Sequence, residues 1–234
     1  MTGIPLRNRL AAVFGGTSLR ARSMRTAGWT GGGFALAYAL RLVSTLFLTR
    51  LLTPDAFGLI SLAAVIMTGL ALISDIGTTP SVIRSKRGDD PVFLQTAWSL
   101  QVVRGTMITL GACVLAWPLA LLYDEPQLLG LTAALAFTAL IQGFASIGIP
   151  VARRQMNLRR LTMLDLTVQA ATLIVTIAVA WAFRSVWALV AGGLFGAALH
   201  LALSHLMLGR FRHRFVLEKA AVAEILVFGR WILL

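Results

Sequence analysis

The sequence predicts an all-α, polytopic membrane bundle of six transmembrane helices followed by the start of a seventh. Three observations carry that prediction. The 234-residue chain is 58% hydrophobic and 13% charged, with a mean hydropathy of +0.82, more apolar surface than a soluble core of this size can hide. Six windows of roughly 20 mostly apolar residues recur along it, the length that crosses about 30 Å of hydrocarbon at about 1.5 Å per residue with every backbone group bonded internally. Finally, the 21 Lys and Arg residues, against nine Asp and Glu, fall in short clusters between those windows rather than along one face, so they report topology and not a nucleic-acid surface.

The arm 1–26 is basic but has neither a continuous apolar stretch nor a small-residue cleavage site before Trp29, so it reads as a retained arm rather than a cleaved signal. The spans are expected near 28–52, 57–78, 94–122, 128–151, 161–183 and 186–208. Leu51-Leu52-Thr53-Pro54-Asp55 reads as helix end, turn and cap, Thr79-Pro80 as the end of the second span, and Tyr123-Asp124-Glu125-Pro126 as a tight polar hairpin. One set of connections holds Arg84, Lys86, Arg87, Arg153, Arg154, Arg159, Arg160, Arg210, Arg212 and Arg214, together with the arm; the other holds Arg50 and Arg184. Lys and Arg in short loops stay cytoplasmic, so an even number of spans puts the N-terminus and the last basic loop in the cytoplasm.

Beyond the sixth span, 211–228 alternates charge with apolar residues at Val216, Leu217, Ala221, Ile225 and Leu226, the pattern of a linker helix in the interface. Phe228-Gly229-Arg230-Trp231 then opens a new apolar run. The expected organisation is a basic cytoplasmic arm (1–26), a six-helix lobe (27–210), an interfacial linker (211–228) and the start of a second lobe (229–234), as in a truncated or split half of something longer.

Two stretches carry a family resemblance. Arg50-Leu51-Leu52-Thr53-Pro54-Asp55-Ala56-Phe57-Gly58-Leu59, followed by Leu72-Ile73-Ser74-Asp75-Ile76-Gly77, resembles the first helical hairpin of the polysaccharide-transporter flippases of the multidrug/oligosaccharidyl-lipid/polysaccharide (MOP) superfamily. Tyr123, Arg153-Arg154-Gln155-Met156 and Phe228-Gly229-Arg230-Trp231 look similar to the same family. The resemblance implies the N-terminal lobe of a MOP/MATE-like fold and a second lobe across a central cavity. It implies a bacterial inner-membrane protein that moves undecaprenyl-pyrophosphate-linked oligosaccharide between leaflets by alternating access. As partners it implies the lipid-linked oligosaccharide, membrane lipids, the second lobe, and the polysaccharide polymerase and chain-length machinery. Nucleic acid is not among them.

Ionisable groups at membrane depth cost several kcal/mol and face a polar interior or a partner. Arg41, midway along the first span, suits phosphate oxygens in a cavity or a structural pair with Asp75. Arg104, about ten residues into the third span, either lines the cavity or snorkels to the headgroups, the reading we prefer. Asp75 and Asp165 fit a coupling cation or a structural ion pair, and for Asp165 the helix dipole already favours an acid. Gln101 and Gln142 lead the amides that could bond sugar hydroxyls, ahead of Gln95 and Gln169; interhelical bonds are the alternative. Gly192, Gly193 and Gly196 form a small-residue face, as Gly31 to Gly33 do on the first span, and the tryptophans read as interface anchors.

No cofactor is expected. His200 and His205 lack a third ligand at metal spacing, Cys113 is the sole cysteine, and no Walker-type phosphate loop is present. An enzyme acting on lipid-linked sugars would need acids in sizeable loops, whereas Asp124-Glu125 is an isolated pair in a hairpin. The remaining alternatives are a cation-coupled multidrug antiporter of the same superfamily, whose signature is acids in the helices, and an inactive or scaffolding membrane half-protein.

Overall fold

A computed structural model describes residues 19–209 and 211–233. Residues 1–18 and Arg210, and the side chains of Arg20, Arg22, Arg25, Trp29, Phe228, Arg230 and Trp231, lie outside the description. The described residues form helices and no strands: α1 (Leu19–Leu51), α2 (Pro54–Ile73), α3 (Thr78–Arg84), α4 (Pro91–Leu122), α5 (Gln127–Gly143), α6 (Gly148–Arg154), α7 (Leu158–Phe183), α8 (Trp187–Leu208) and α9 (Lys219–Leu233). Six of the described helices, α1, α2, α4, α5, α7 and α8, are long and apolar enough to cross a membrane, which makes the chain a multi-pass membrane protein. Most of each span faces outward, as expected where lipid rather than water is the solvent.

Local chemistry sets the ends. Pro54 and Pro91 open α2 and α4 at positions whose N–H has no helical partner in any case, and the Asp90 carboxylate caps α4 by accepting from the Val92 N–H at 3.0 Å. The hairpin 123–126 turns through Asp124 at φ 54°, and α7 ends on Arg184 at φ 46°. Two spans are shorter than expected. α2 stops at Ile73 and the chain bends at Gly77, φ 65°, the left-handed conformation that glycine adopts without penalty. Thr79-Pro80 therefore lies in the first turn of α3 instead of ending α2, because a proline early in a helix breaks no hydrogen bond. The fourth span likewise ends at Gly143, and residues 148–154 form the separate helix α6. α9 runs unbroken through Gly229, so the expected linker helix and seventh apolar run are one element.

The helices meet where side chains are small. A Cβ on Gly105 of α4 would lie 2.7 Å from the Ala139 carbonyl of α5, and the Thr109 hydroxyl of α4 bonds the Ala136 carbonyl of α5 at 2.9 Å. Gly192 and Gly196 of α8 seat against Thr176 and Thr172 of α7, whereas Gly193 faces Leu135 and Thr138 of α5. Gly33 is the closest approach of α1 to Thr162 of α7; Gly31 and Gly32 are open.

Two poles close the bundle. At one, Leu48, Leu52, Ala56, Leu131, Ala180 and Val186 pack together below the hairpins that carry Asp55, Asp124, Glu125, Arg50 and Arg184. At the other, Val82, Phe93, Trp98, Ile147, Val151, Ala221 and Ile225 join α3, α4, α6 and α9, and this end carries the remaining described arginines and lysines apart from Arg41 and Arg104. Ion pairs knit it: Arg87 binds Asp90 at 2.7 Å and Glu218 at 2.8 Å, and Arg154 binds Asp89 at 3.3 Å. The bonds to Glu218 and Asp90 raise the Arg87 pKa above its ordinary value, and Arg87, then the Val92 N–H, hold the Asp90 carboxyl below the usual carboxylate range. Trp98 departs from the anchor role expected of it. Only 6% exposed, its ring packs among Phe144, His213 and Phe215, while Trp117, Trp181 and Trp187 sit exposed toward the opposite pole as anchors do.

Candidate functional site

Towards the basic pole, α2, α4 and α5 enclose a cavity of about 530 Å³, lined by Met67 to Leu72 of α2, Gln101 to Ile108 of α4 and Thr138 to Gly143 of α5, with the α2–α3 bend at its edge.

Three of the polar groups lining it, Arg104, Gln101 and Asp75, have a structural reason for their positions. Arg104 and Gln101, three apart on α4, share one face. A helix C-terminus leaves carbonyls without partners, and each of these side chains serves one. The Arg104 guanidinium donates to the Ala71 carbonyl of α2 at 2.8 Å and to the Ser74 hydroxyl at 3.4 Å, and lies 3.6 Å from the Asp75 carboxylate. The Gln101 amide nitrogen donates to the carbonyls of Gly143 at 3.1 Å, Ala145 at 3.2 Å and Gln142 at 3.3 Å. Asp75 in turn accepts the Gly77 N–H at 3.0 Å and so fixes the bend.

Of the six residues singled out from sequence, four therefore line one cavity: Asp75, Gln101, Arg104 and Gln142. The Arg104 side chain, 27% exposed, turns onto α2, where helix-end carbonyls and a carboxylate receive it. Asp75 takes Arg104 as its ion-pair partner rather than Arg41. Gln142 is exposed and aims at the cavity with no bond from its side chain among the described residues.

Arg41 and Asp165 lie elsewhere. Arg41 is exposed on α1, with no side-chain partner among the described residues. Asp165 lines a separate groove of about 270 Å³ between α1 and α7, with Gly33, Phe34, Arg153 and Gln169. Gln169 donates to the Ala37 carbonyl of α1 at 2.9 Å, an interhelical bond of the kind that gives such amides a structural role.

Sequence reading missed the hydroxyls of the cavity, Thr68, Thr78, Thr79 and Thr138. The signal existed: Thr68 and Asp75 are seven apart, and Thr138 and Gln142 four apart, so each pair repeats on one helical face. The residues could mix carbohydrate-type hydrogen bonding with one neutralised ion pair. No group of three or more His, Cys, Asp or Glu suited to a metal occurs among the described residues.

Comparison with known proteins agrees in class. The chain is 24% identical over 205 residues, 88% of its length, to the succinoglycan biosynthesis transport protein ExoT of Rhizobium meliloti, of which the match covers 41%. It is 24% identical over 222 residues, 92% of its length, to the lipopolysaccharide biosynthesis protein WzxC of Escherichia coli, covering 44% of that protein. The chain thus spans less than half the length of these curated relatives. No solved structure matches it. Residues 47–234 match the polysaccharide biosynthesis protein family, and with five of the six spans and the cavity on this segment, the chain belongs to that family.

Proposed function

We propose that this chain forms one lobe of a flippase that carries a polyprenyl-pyrophosphate-linked oligosaccharide across the bacterial inner membrane by alternating access, with its basic pole in the cytoplasm. The observation that carries the reading is the cavity of α2, α4 and α5, a polar recess of about 530 Å³ in an apolar bundle whose size suits a small-molecule ligand. Gln142, Thr79 and the free oxygen of Gln101 are its uncommitted hydrogen-bonding groups, matched to sugar hydroxyls. Arg104 is a positioning group, since its guanidinium is engaged by α2. Arg41, exposed on α1 with no side-chain partner among the described residues, is a cation suited to pyrophosphate. The transport is secondary and the chain is no enzyme; lipid-linked precursor, membrane lipids, a second lobe, and the polymerase and chain-length machinery are its partners.

The test is delivery of lipid-linked oligosaccharide to the periplasm in a flippase-deficient bacterial strain by the full-length protein that carries this chain. Arg41→Ala and Gln142→Ala are expected to reduce delivery at unchanged membrane abundance, and Arg184→Ala, on the opposite hairpin, to leave it intact. Equal effects of Gln142→Ala and Arg184→Ala would remove the cavity reading. A second reading, a cation-coupled antiporter of the same superfamily, is favoured by Asp75, a carboxylate 45% exposed at the edge of the cavity. It predicts drug efflux that collapses in Asp75→Asn and no effect on oligosaccharide delivery.

A further inference from the structure

The segment 211–218 between α8 and α9 is held by a set of contacts that none of the cavity groups explains. The His213 Nε2 accepts the Ile147 N–H at 3.4 Å. Its ring lies 4.7 Å from that of His205 on α8 and 5.2 Å from that of Trp98 on α4. His205 donates from Nδ1 to the Leu201 carbonyl at 3.0 Å. Nearby, the Ser204 hydroxyl accepts the Ser146 N–H at 3.0 Å, and further along the linker the Val216 and Glu218 N–H groups donate to Ser99 and Thr96 of α4 at 3.0 and 3.3 Å.

The loop between α5 and α6 thus has two sides. Its carbonyls at Gly143 and Ala145 hold Gln101 on the cavity side; its N–H groups at Ser146 and Ile147 are held by α8 and by the linker. The loop that His213 holds begins at Gly143, which lines the cavity.

We propose that His213 is a proton-operated latch, which when neutral pins the linker to the 144–147 loop and when protonated frees both the linker and the carbonyl anchor of Gln101. The bond to Ile147 requires an unprotonated Nε2, because a charged imidazole is a donor at both nitrogens and would meet an N–H with an N–H. His205 faces the ring from α8, α4 presents Trp98 and the α5–α6 loop presents the Ile147 N–H, while Arg212 and Arg214 are its exposed neighbours on the linker. Burial, then His205, push the His213 imidazole below its ordinary range, so the latch is closed at neutral pH and opens as acid overcomes that penalty. The inference concerns how the linker is held and stands whether or not the cavity carries a lipid-linked sugar.

Hydrogen–deuterium exchange of the full-length protein in detergent, corrected for intrinsic rates, tests it at about pH 7.5 and about pH 5.5, on either side of the ordinary imidazole range. Protection of peptides covering 144–149 and 211–218 is expected to fall by about tenfold at the lower pH, the loss of one hydrogen bond, while peptides of the α7–α8 hairpin stay unchanged. His213→Phe keeps a ring against Trp98 and His205 without the proton, and His213→Gln keeps a polar group; both are expected to abolish the difference between the two pH values. His205→Gln is expected to retain it, with the midpoint moved to higher pH. An unchanged wild-type profile, or a wild-type-sized drop in either folded His213 variant, would overturn the proposal.

Discussion

Arg104 shows what a single residue can be asked to do at membrane depth. Its guanidinium bonds the last turn of α2 and faces the carboxylate that fixes the Gly77 bend. Removing it leaves the Asp75 carboxylate without its ion pair and the Ala71 carbonyl without its side-chain donor, and Arg104→Ala is expected to destabilise the chain by about 1–3 kcal/mol, read as a lower thermal midpoint by circular dichroism in detergent. Arg104→Lys should recover part of that, since an ammonium supplies charge but not the forked donors. Asp90 offers a test in pH. Its folded-state pKa lies below its unfolded value, so its contribution is fully present above the unfolded carboxylate pKa and disappears as pH falls through the lower, folded one. Asp90→Asn, which keeps a capping oxygen but no charge, is expected to flatten this acid-side loss in melting profiles, whereas a slope equal to wild type would assign the acid sensitivity to other groups.

Among the elements, the contacts between helices rest on glycine only where another backbone approaches. A methyl on Gly105 meets the Ala139 carbonyl at 2.7 Å and Gly143 at 3.0 Å, whereas one on Gly32 meets nothing within 4 Å. Gly105→Ala is therefore expected to cost about 1–3 kcal/mol through a forced separation of α4 and α5. Gly32→Ala is expected to be neutral or stabilising by about 0.4–1 kcal/mol through the unfolded chain. Equal midpoints for the two would show that the α4–α5 contact is not tight. Sequence alone ranked Gly31 to Gly33 beside Gly192, Gly193 and Gly196, since a run of small residues looks the same in either case; only the rotation of each helix says which glycine meets a neighbour.

For the whole molecule, the charge asymmetry sets orientation. The basic pole gathers α3, α6, the linker and the start of α9, while the opposite hairpins are short and carry Asp55, Asp124 and Glu125. Retention of Lys and Arg on the cytoplasmic side predicts that, in a Cys113→Ser background, a cysteine replacing Asp124 is labelled by membrane-impermeant maleimide in intact spheroplasts, and one replacing Arg212 only after the membrane is opened. The reverse pattern would invert the bundle and with it the proposed cytoplasmic placement of the basic pole.

Hydropathy by itself determined the class, the six spans and the lopsided charge, because crossing hydrocarbon requires a run of apolar residues of set length whatever their neighbours are. It also marked Gln101, Arg104, Gln142 and Asp75 as polar residues at membrane depth. It could not say that they share a wall while Arg41 and Asp165 do not, nor that α2 stops at Ile73 and α5 at Gly143. Those outcomes depend on which side chains reach which helix ends: Arg104 closing α2, Gln101 closing α5, and the linker returning to hold the same loop through His213. A hydrogen bond between residues 30 to 70 positions apart leaves no periodicity in the sequence, and so the tertiary structure alone decided it.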